Sequence, residues 1–243
     1  MAQIIQLDSV ESTNRYCELL DPDSIGEFTC YRAIEQTAGI GQRGNTWYSG
    51  AAGDNLTFSI ILKPAFLPAA AQFRLTQAIS LALCDFLSPF TLNLPPLIKW
   101  PNDIYVDSHK ICGTLISCRY SGETIASAIC GIGLNINQME FPDWIPHPTS
   151  LAMLTGRRHD TAALLPQLLD ACRVRYDQLR LGHDPTDEYL AKLMNLGRAC
   201  HYIYGGQDIT ATVTGVDPYG RLLLTDTDGR RLCCAMKEIA LAE

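Results

Sequence analysis

Residues 55–62 alternate with period two. Leu56, Phe58, Ile60 and Leu62 oppose polar Asn55, Thr57 and Ser59, the pattern of a half-buried strand. Further strands are predicted at 3–7 and 27–36, followed by an antiparallel run at 97–100, 104–106, 110–120 and 124–136. Turns are expected at Asp107-Ser108-His109 and Ser121-Gly122. Helical spacing replaces the alternation over 68–87, where Phe73, Leu75, Ile79, Leu83 and Phe86 recur behind a proline near the start. It returns over 161–181 and, more briefly, over 186–195. A short helix runs from Ser12, a candidate N-cap, to about Leu20, where Asp21-Pro22-Asp23 stops it. Past Leu196 the pattern changes to short strands at 199–203, 209–216, 222–226 and 231–236. Gly205-Gly206, Asp217-Pro218-Tyr219-Gly220 and Asp228-Gly229 separate them. The expected organisation is an α+β domain over 1–195, with a mixed or antiparallel sheet and flanking helices, and a small β-barrel over 196–243.

Composition narrows the class. With 47% hydrophobic and 19% charged residues, the 243-residue chain can bury a core. The net charge is -7, and no basic cluster is longer than Arg157-Arg158 or Arg230-Arg231, so direct nucleic-acid binding is not expected. Ten cysteines occur without a Cys-x-x-Cys pair, and Cys17, Cys30, Cys84, Cys130 and Cys172 sit singly in apolar segments. They read as small buried hydrophobes of a reducing compartment. The first ten residues lack a basic signal-type start. No apolar stretch approaches the ~20 residues of a membrane span. A soluble, cytoplasmic protein without a membrane partner is expected.

The candidate chemistry lies in a few segments. The loop over 37–53 carries five glycines, and Gly39-Ile40-Gly41-Gln42-Arg43-Gly44 matches the dinucleotide fingerprint literally. No helix start follows in Asn45-Thr46-Trp47-Tyr48-Ser49-Gly50, and no βαβ unit surrounds it, so the Rossmann reading fails. A plain hairpin loop remains, or a loop closing over a ligand with backbone N–H groups and Arg43 meeting an anion. Lys99 and Lys110 have Asp103 and Asp107 near them in sequence. As surface ion pairs they would be worth ~0–1 kcal/mol each. Gly113, Gly131 and Gly133, however, remove side chains from adjacent strands, which suggests close ligand approach. A pocket for two neighbouring negative charges, a carboxylate beside a phosphate, fits that set. Ser12-Thr13-Asn14 is by default an N-cap cluster, Gln36 a strand-end polar residue, and Trp47 either a core anchor or an aromatic lid. His147, His159, His183 and His201 lack ligand spacing, and Cys112 has no histidine nearby and reads as packing.

Taken together, these residues resemble the biotin–protein ligases. The resemblance rests on Ser12-Thr13-Asn14, Glu35-Gln36-Thr37, Gly39, Gly41, Gly44, Trp47 and Ser49, Lys99-Trp100-Pro101-Asn102-Asp103, Lys110 with Gly113, and Gly131, Gly133 and Asn135, in the family's order. It continues through the C-terminal strands to about Ala242. It implies a catalytic fold like that of class II synthetases and an SH3-like barrel. It also implies a two-step reaction, in which biotin's carboxylate attacks the α-phosphorus of Mg-ATP and a carrier-domain lysine then takes the acyl group and releases AMP. Lys110 would stand between carboxylate and phosphate, with Arg43 and Asp103 as its catalytic companions. Asp103 would orient Mg2+ or receive the acceptor lysine's proton. Lys99, Arg43, Asn45, Trp47, Asn102, Lys110 and Asn135 would serve ATP. Ser12, Thr13, Asn14, Gln36, Gly39, Ile40, Gly41, Gln42, Trp47, Lys110, Gly113 and Gly131 would serve biotin.

No tightly bound prosthetic group is implied, and the expected partner is the carrier domain of an acyl-CoA carboxylase. A carrier strand or a second copy could pair at an exposed edge such as 124–136. Ile40 and Gln42 stand where the family usually places basic residues. That departure opens the alternative of a biotin-binding pseudoenzyme with weakened retention of the adenylate. A lipoate- or octanoate-transferring enzyme of the same superfamily is the other alternative. Ser12 lies too near the start to leave room for a preceding DNA-binding domain, so a regulator of that kind is not expected.

Overall fold

A computed structural model describes residues 3–91 and 93–242, with every side chain among them described except that of Arg43. The larger sheet has seven strands: β1 (Ile4–Val10), β2 (Cys30–Gln36), β3 (Leu56–Leu62), β4 (Leu97–Lys99), β5 (Asp103–Val106), β6 (His109–Ser121) and β7 (Thr124–Leu134). Their order is β1-β2-β3-β7-β6-β5-β4. Only the β1–β2 pair is parallel among them, so the sheet is mixed. Beside it run α1 (Thr13–Glu18), α2 (Phe73–Thr91), α3 (Leu151–Thr155), α4 (Thr161–Arg180) and α5 (Thr186–Ala191).

The two faces of the sheet are covered differently. Leu56, Phe58, Ile60 and Leu62 of β3 join one large core with α2 and α4. The opposite face carries α1, whose Cys17 packs with Tyr31, Ile61 and Ile129. β3 is therefore buried along its whole length rather than half-buried. The helix that covers its polar side turns Thr57 and Ser59 inward, where they need hydrogen-bonding partners.

Other boundaries differ for local reasons. β2 starts at Cys30 instead of residue 27, because Phe28 takes a left-handed backbone (φ 69°) and its N–H bonds the Ile61 carbonyl. α2 starts at Phe73, after a 3-10 turn at Ala69–Ala71, and runs on to Thr91. α5 ends at Ala191, short of residue 195, and Asn195 is left-handed (φ 65°). Asp107 and Ser108 both have positive φ, the mark of a type I′ hairpin turn, so β6 begins at His109. The strand expected to offer an exposed edge over 124–136 is interior, with β7 hydrogen-bonded between β3 and β6. The edges of this sheet are β1 and β4.

The C-terminal strands are β8 (Ala199–Tyr204), β9 (Gln207–Val216), β10 (Leu222–Asp226), β11 (Arg231–Cys234) and β12 (Ile239–Leu241). They form an antiparallel sheet in the order β11-β10-β9-β8-β12, as in an SH3-like barrel, with no closing ladder between β11 and β12 among the described residues. Two elements, α3 and β12, were not legible in the pattern. The C-terminal sheet does not hang free. Tyr202, Val213, Leu224 and Ile239 belong to the same hydrophobic cluster as Phe58 and Leu168. The indole N–H of Trp100 donates to the Gly220 carbonyl at 2.9 Å, and the Tyr189 hydroxyl donates to Pro101 O at 2.9 Å. Among the described residues no helix is long and apolar enough to cross a membrane.

Candidate active site

A cavity of about 790 Å3 opens on the α1 face of the large sheet. That is ample for a drug-sized ligand. Its floor comes from β3, β6 and β7 through Thr57, Gly113, Leu115, Gly131 and Gly133. Ser12, Thr13, Asn14 and Gln36 close one end, while Lys99, Asn102, Asp103 and Lys110 stand at the ends of β4, β5 and β6. The glycine-rich loop forms a wall through Ile40, Gly41, Gln42, Asn45 and Trp47, and Asn135 also lines the space. Sixteen of the eighteen residues assigned to catalysis, biotin or ATP thus meet around one cavity. Gly39 does not line it. It lies behind the wall, where an added Cβ would stand 2.5 Å from the Trp47 carbonyl and 2.7 Å from Gln36 Nε2. The Arg43 side chain lies outside the described residues.

The loop is a tight clasp rather than the start of a helix. Trp47 N–H donates to Gly39 O at 2.9 Å, Gly41 N–H donates to Asn45 O at 2.7 Å, and a single 3-10 turn spans Gln42–Gly44. This settles the fingerprint against a dinucleotide fold.

The α1 end is neutral and densely hydrogen-bonded. The Gln36 amide oxygen accepts from Thr13 N–H at 2.9 Å, and its amide nitrogen donates to Ser49 Oγ at 3.2 Å. Ser59 Oγ lies 2.8 Å from Thr13 Oγ1 and 2.6 Å from Asn14 Oδ1, while Asn14 Nδ2 donates to the Leu115 carbonyl at 3.1 Å. Ser12 sits at the N-cap of α1 with extended backbone, yet its side chain makes no capping hydrogen bond. Its hydroxyl is therefore not spent on the helix.

The other end is cationic. Lys110 Nζ lies 2.6 Å from Asp103 Oδ2, and the two side chains are 27% and 28% exposed. Lys99 Nζ donates to Tyr105 Oη at 3.3 Å. The Asn102 amide is buried and bound to the Thr114 carbonyl, and Asn135 Nδ2 donates to Thr149 O at 2.9 Å. These two carboxamides fasten strands and loops around the cavity.

The glycines meet protein before they meet any ligand. A Cβ on Gly131 would stand 2.1 Å from Asn14 Oδ1, and one on Gly133 would stand 2.3 Å from the Trp47 indole. Gly113 has Asp103 and Trp47 at 3.1 and 3.2 Å from its virtual Cβ. The Trp47 indole thus lies against the sheet, and among the described residues its buried Nε1 has no hydrogen-bond partner. Cys112 is fully buried; desolvation, followed by the nearby Asp103 charge, pushes its thiol well above the ordinary value. It is a packing group, not a nucleophile. Among the described residues no cluster of three or more His, Cys, Asp or Glu could hold a metal ion.

Several lining residues escaped sequence reasoning. Tyr48 meets Trp144 edge-on, with ring centroids 6.3 Å apart, and Trp144, Ile145, Pro146 and Pro148 wall the cavity. The only signal there was aromatic and proline residues in a stretch without periodicity. Met236 and Lys237 reach the cavity from the C-terminal sheet, which no local pattern foretells.

Comparison with known proteins finds the chain similar to the biotin/lipoate protein ligases. The model described as the Biotin/lipoate A/B protein ligase family matches residues 7–135, and that of the Biotin protein ligase C terminal domain matches residues 196–240. A bifunctional ligase/repressor BirA of Bacillus spizizenii is 31% identical over 237 residues, which cover 93% of this chain and 70% of that protein. A biotin–[acetyl-CoA-carboxylase] ligase of Paracoccus denitrificans is 30% identical over 235 residues, covering 93% and 95%. Among solved structures, the biotin protein ligase of Aquifex aeolicus in complex with biotin and ATP is similar with a TM-score of 0.81. It is 26% identical and covers 100% of both chains.

Proposed function

The chain belongs to the biotin/lipoate A/B protein ligase family, and we propose that this cavity carries out both steps by which biotin is joined to a carrier-domain lysine. The enzyme is an ATP-dependent ligase that attaches biotin to a carrier protein, with biotin and ATP as substrates. The observation that carries the residue assignment is the division of the cavity. One end holds neutral Ser12 beside the hydrogen-bonded pair Thr13 and Gln36, and the other holds Lys110 and Lys99. Biotin has the same division, a neutral ureido ring with one acceptor and two donors and a carboxylate at the end of its chain.

In this reading Ser12, Thr13 and Gln36 meet the ureido ring, and Asn14 fixes the cluster to β6 through the Leu115 carbonyl. The Trp47 indole, laid on Gly113 and Gly133, forms part of the floor. Gly113 and Gly131 keep the floor low, and Gly39, Ile40, Gly41 and Gln42 shape the wall. The ammonium of Lys110 offsets the repulsion between carboxylate and α-phosphate and follows the charge as it moves. Lys99 and Arg43 serve the phosphates, and Asn45, Asn102 and Asn135 shape the nucleotide end. The carboxylate of Asp103 orients Lys110 at 2.6 Å and stands where an incoming amine must lose its proton. Asp103 is the one carboxylate lining the cavity among the described residues. That fits a Mg2+ arriving with the nucleotide, because this ion is usually bound by one or two carboxylates plus phosphate oxygens. There it would screen the phosphate charge.

The acceptor is the carrier domain of an acyl-CoA carboxylase, and the enzyme works in the cytoplasm. Ten free cysteines support a reducing compartment.

Biotin-dependent ATP–pyrophosphate exchange, with lipoate and octanoate in parallel, tests the reading. Exchange with biotin alone is expected, and Lys110→Ala should lower it by about 10²–10³-fold. Lipoate offers nothing to the neutral network, and a site built on such hydrogen bonds can reject an analogue lacking them by ~10⁴-fold or more. Exchange with lipoate or octanoate instead would overturn the substrate. Biotin binding without exchange would favour the pseudoenzyme that Ile40 and Gln42 suggest.

A further inference from the structure

The chain has five lysines, and three of them, Lys99, Lys110 and Lys237, line the one cavity; Lys63 and Lys192 lie elsewhere. In a protein of net charge -7 such a concentration marks where a polyanion is held. Lys99 and Lys110 come from strand ends of the large sheet. Lys237 comes from the turn between β11 and β12, and it holds a left-handed backbone with φ 73°. A side chain in that conformation costs about 1 kcal/mol over glycine. The turn would form more readily with glycine, yet a lysine stands there among the residues that line the active cavity. The C-terminal sheet is fastened by the bond from Trp100 Nε1 to Gly220 O, one residue from Lys99, so its approach is to the cationic end. The facing loop lines the cavity with neutral Ile40, Gln42 and Asn45 and carries a single basic residue, Arg43.

We propose that Lys237 is a catalytic residue of the adenylation step, its ammonium binding the β- and γ-phosphates of ATP and holding pyrophosphate as it departs. The inference rests on the ligase reading above. In that step a carboxylate oxygen of biotin forms a bond to the α-phosphorus. The bond from that phosphorus to the oxygen bridging to the β-phosphate breaks, and its electron pair stays on that oxygen. No proton moves, and negative charge accumulates on the leaving pyrophosphate. Lys110 serves the attacking side and Lys237 the leaving side. The C-terminal sheet is thereby part of the active site.

The test compares Lys237→Gly, Lys237→Ala and Lys237→Arg with the wild type in the full chain. Glycine suits the backbone, so Lys237→Gly should melt no lower than the wild type. Its KM for ATP in biotin-dependent exchange should rise about tenfold, the loss of one hydrogen bond to a charged group. Lys237→Arg should restore most of the effect. Calorimetry in the presence of biotin gives a readout without turnover. The α,β-methylene analogue of ATP should bind Lys237→Gly about tenfold more weakly, while AMP and biotin itself bind as before. Equal affinity for the analogue in wild type and Lys237→Gly would overturn the proposal. So would a parallel loss of AMP and biotin, which a merely structural role predicts. If the wild type exchanges with no acid while the analogue still depends on Lys237, the ligase reading fails and the phosphate assignment stands.

Discussion

Ser12 and Asp160 occupy the same position at the head of their helices and do different things there. Asp160 accepts from Ala162 N–H at 2.8 Å and Ala163 N–H at 3.3 Å, whereas Ser12 makes no such bond. Asp160→Ala should therefore lose about 1 kcal/mol of stability in a denaturant titration, and Ser12→Ala only a few tenths. If Ser12 serves the ureido ring, the same Ser12→Ala should weaken biotin by about tenfold in calorimetry. A stability loss in Ser12→Ala equal to that of Asp160→Ala would make it a cap after all. Gly131 allows a second separation. A methyl group there would stand 2.1 Å from Asn14 Oδ1 and must displace it from Ser59. Gly131→Ala should raise the KM for biotin at least tenfold and leave that for ATP near normal. A rise confined to ATP would move the glycine to the other substrate. At this scale the sequence revealed which residues gather, but not whom they serve. Asn14, Asn102 and Asn135 give their amide hydrogens to backbone carbonyls, and for Asn14 the partner is 101 residues away.

Elements were legible in proportion to their length and to how one-sided their burial is. The periodicity over 161–181 foretold α4 within one residue at its end, and the Asp107-Ser108 turn fell where two positive φ values now place it. β3 was read as half-buried because the six-residue helix that covers its polar face leaves no mark in β3's own sequence. α3, of five residues, and β12, of three, are too short for any period to repeat. Contacts between elements were equally hidden. Glu27, just before β2, receives the Tyr176 hydroxyl at 2.7 Å and the Arg180 guanidinium at 2.6 Å, both from α4. Burial alone would raise its pKa, but those hydrogen bonds and the Arg180 charge outweigh burial and hold it below the ordinary 4.5. A depressed carboxyl stabilises the fold above the unfolded value and loses that contribution as pH falls through the folded one. Glu27→Gln should thus be less stable than wild type by about 1 kcal/mol at pH 7, a modest figure because the carboxylate is 29% exposed. The gap should shrink as pH drops below 4.5. Urea midpoints for both proteins at pH 7 and pH 3.5 check this, and a gap equal at the two pH values would exclude the ionised carboxylate as its source.

At the scale of the whole molecule, the sequence divides the chain at residue 196, but the folded protein joins what lies on either side. One hydrophobic cluster runs from β3 and α4 through Tyr189 and Leu193 to Tyr202, Leu224 and Ile239. The polar fasteners lie beside the lysine segment itself. Trp100 donates to Gly220 O, and Tyr189 donates to Pro101 O on the next residue. Lys99-Trp100-Pro101-Asn102-Asp103 therefore faces two ways. Lys99, Pro101, Asn102 and Asp103 line the cavity, while Trp100 reaches across to the C-terminal sheet. This explains why so specific a segment could be recognised in sequence while its second duty could not, since Gly220 is 120 residues further on. Trp100→Phe keeps most of the apolar surface and removes only the indole N–H. The loss of stability should be about 1 kcal/mol, the ordinary worth of one hydrogen bond with its carbonyl left partly unmet. If the sheet is held in place so that Lys237 can meet the phosphates, the larger effect is kinetic. The KM for ATP should rise several-fold, biotin binding without nucleotide should be unchanged, and Trp100→Phe combined with Lys237→Gly should be little worse than Lys237→Gly alone. Full multiplication of the two effects would mean that the tryptophan acts on ATP by a route of its own, because residues serving one interaction are not additive.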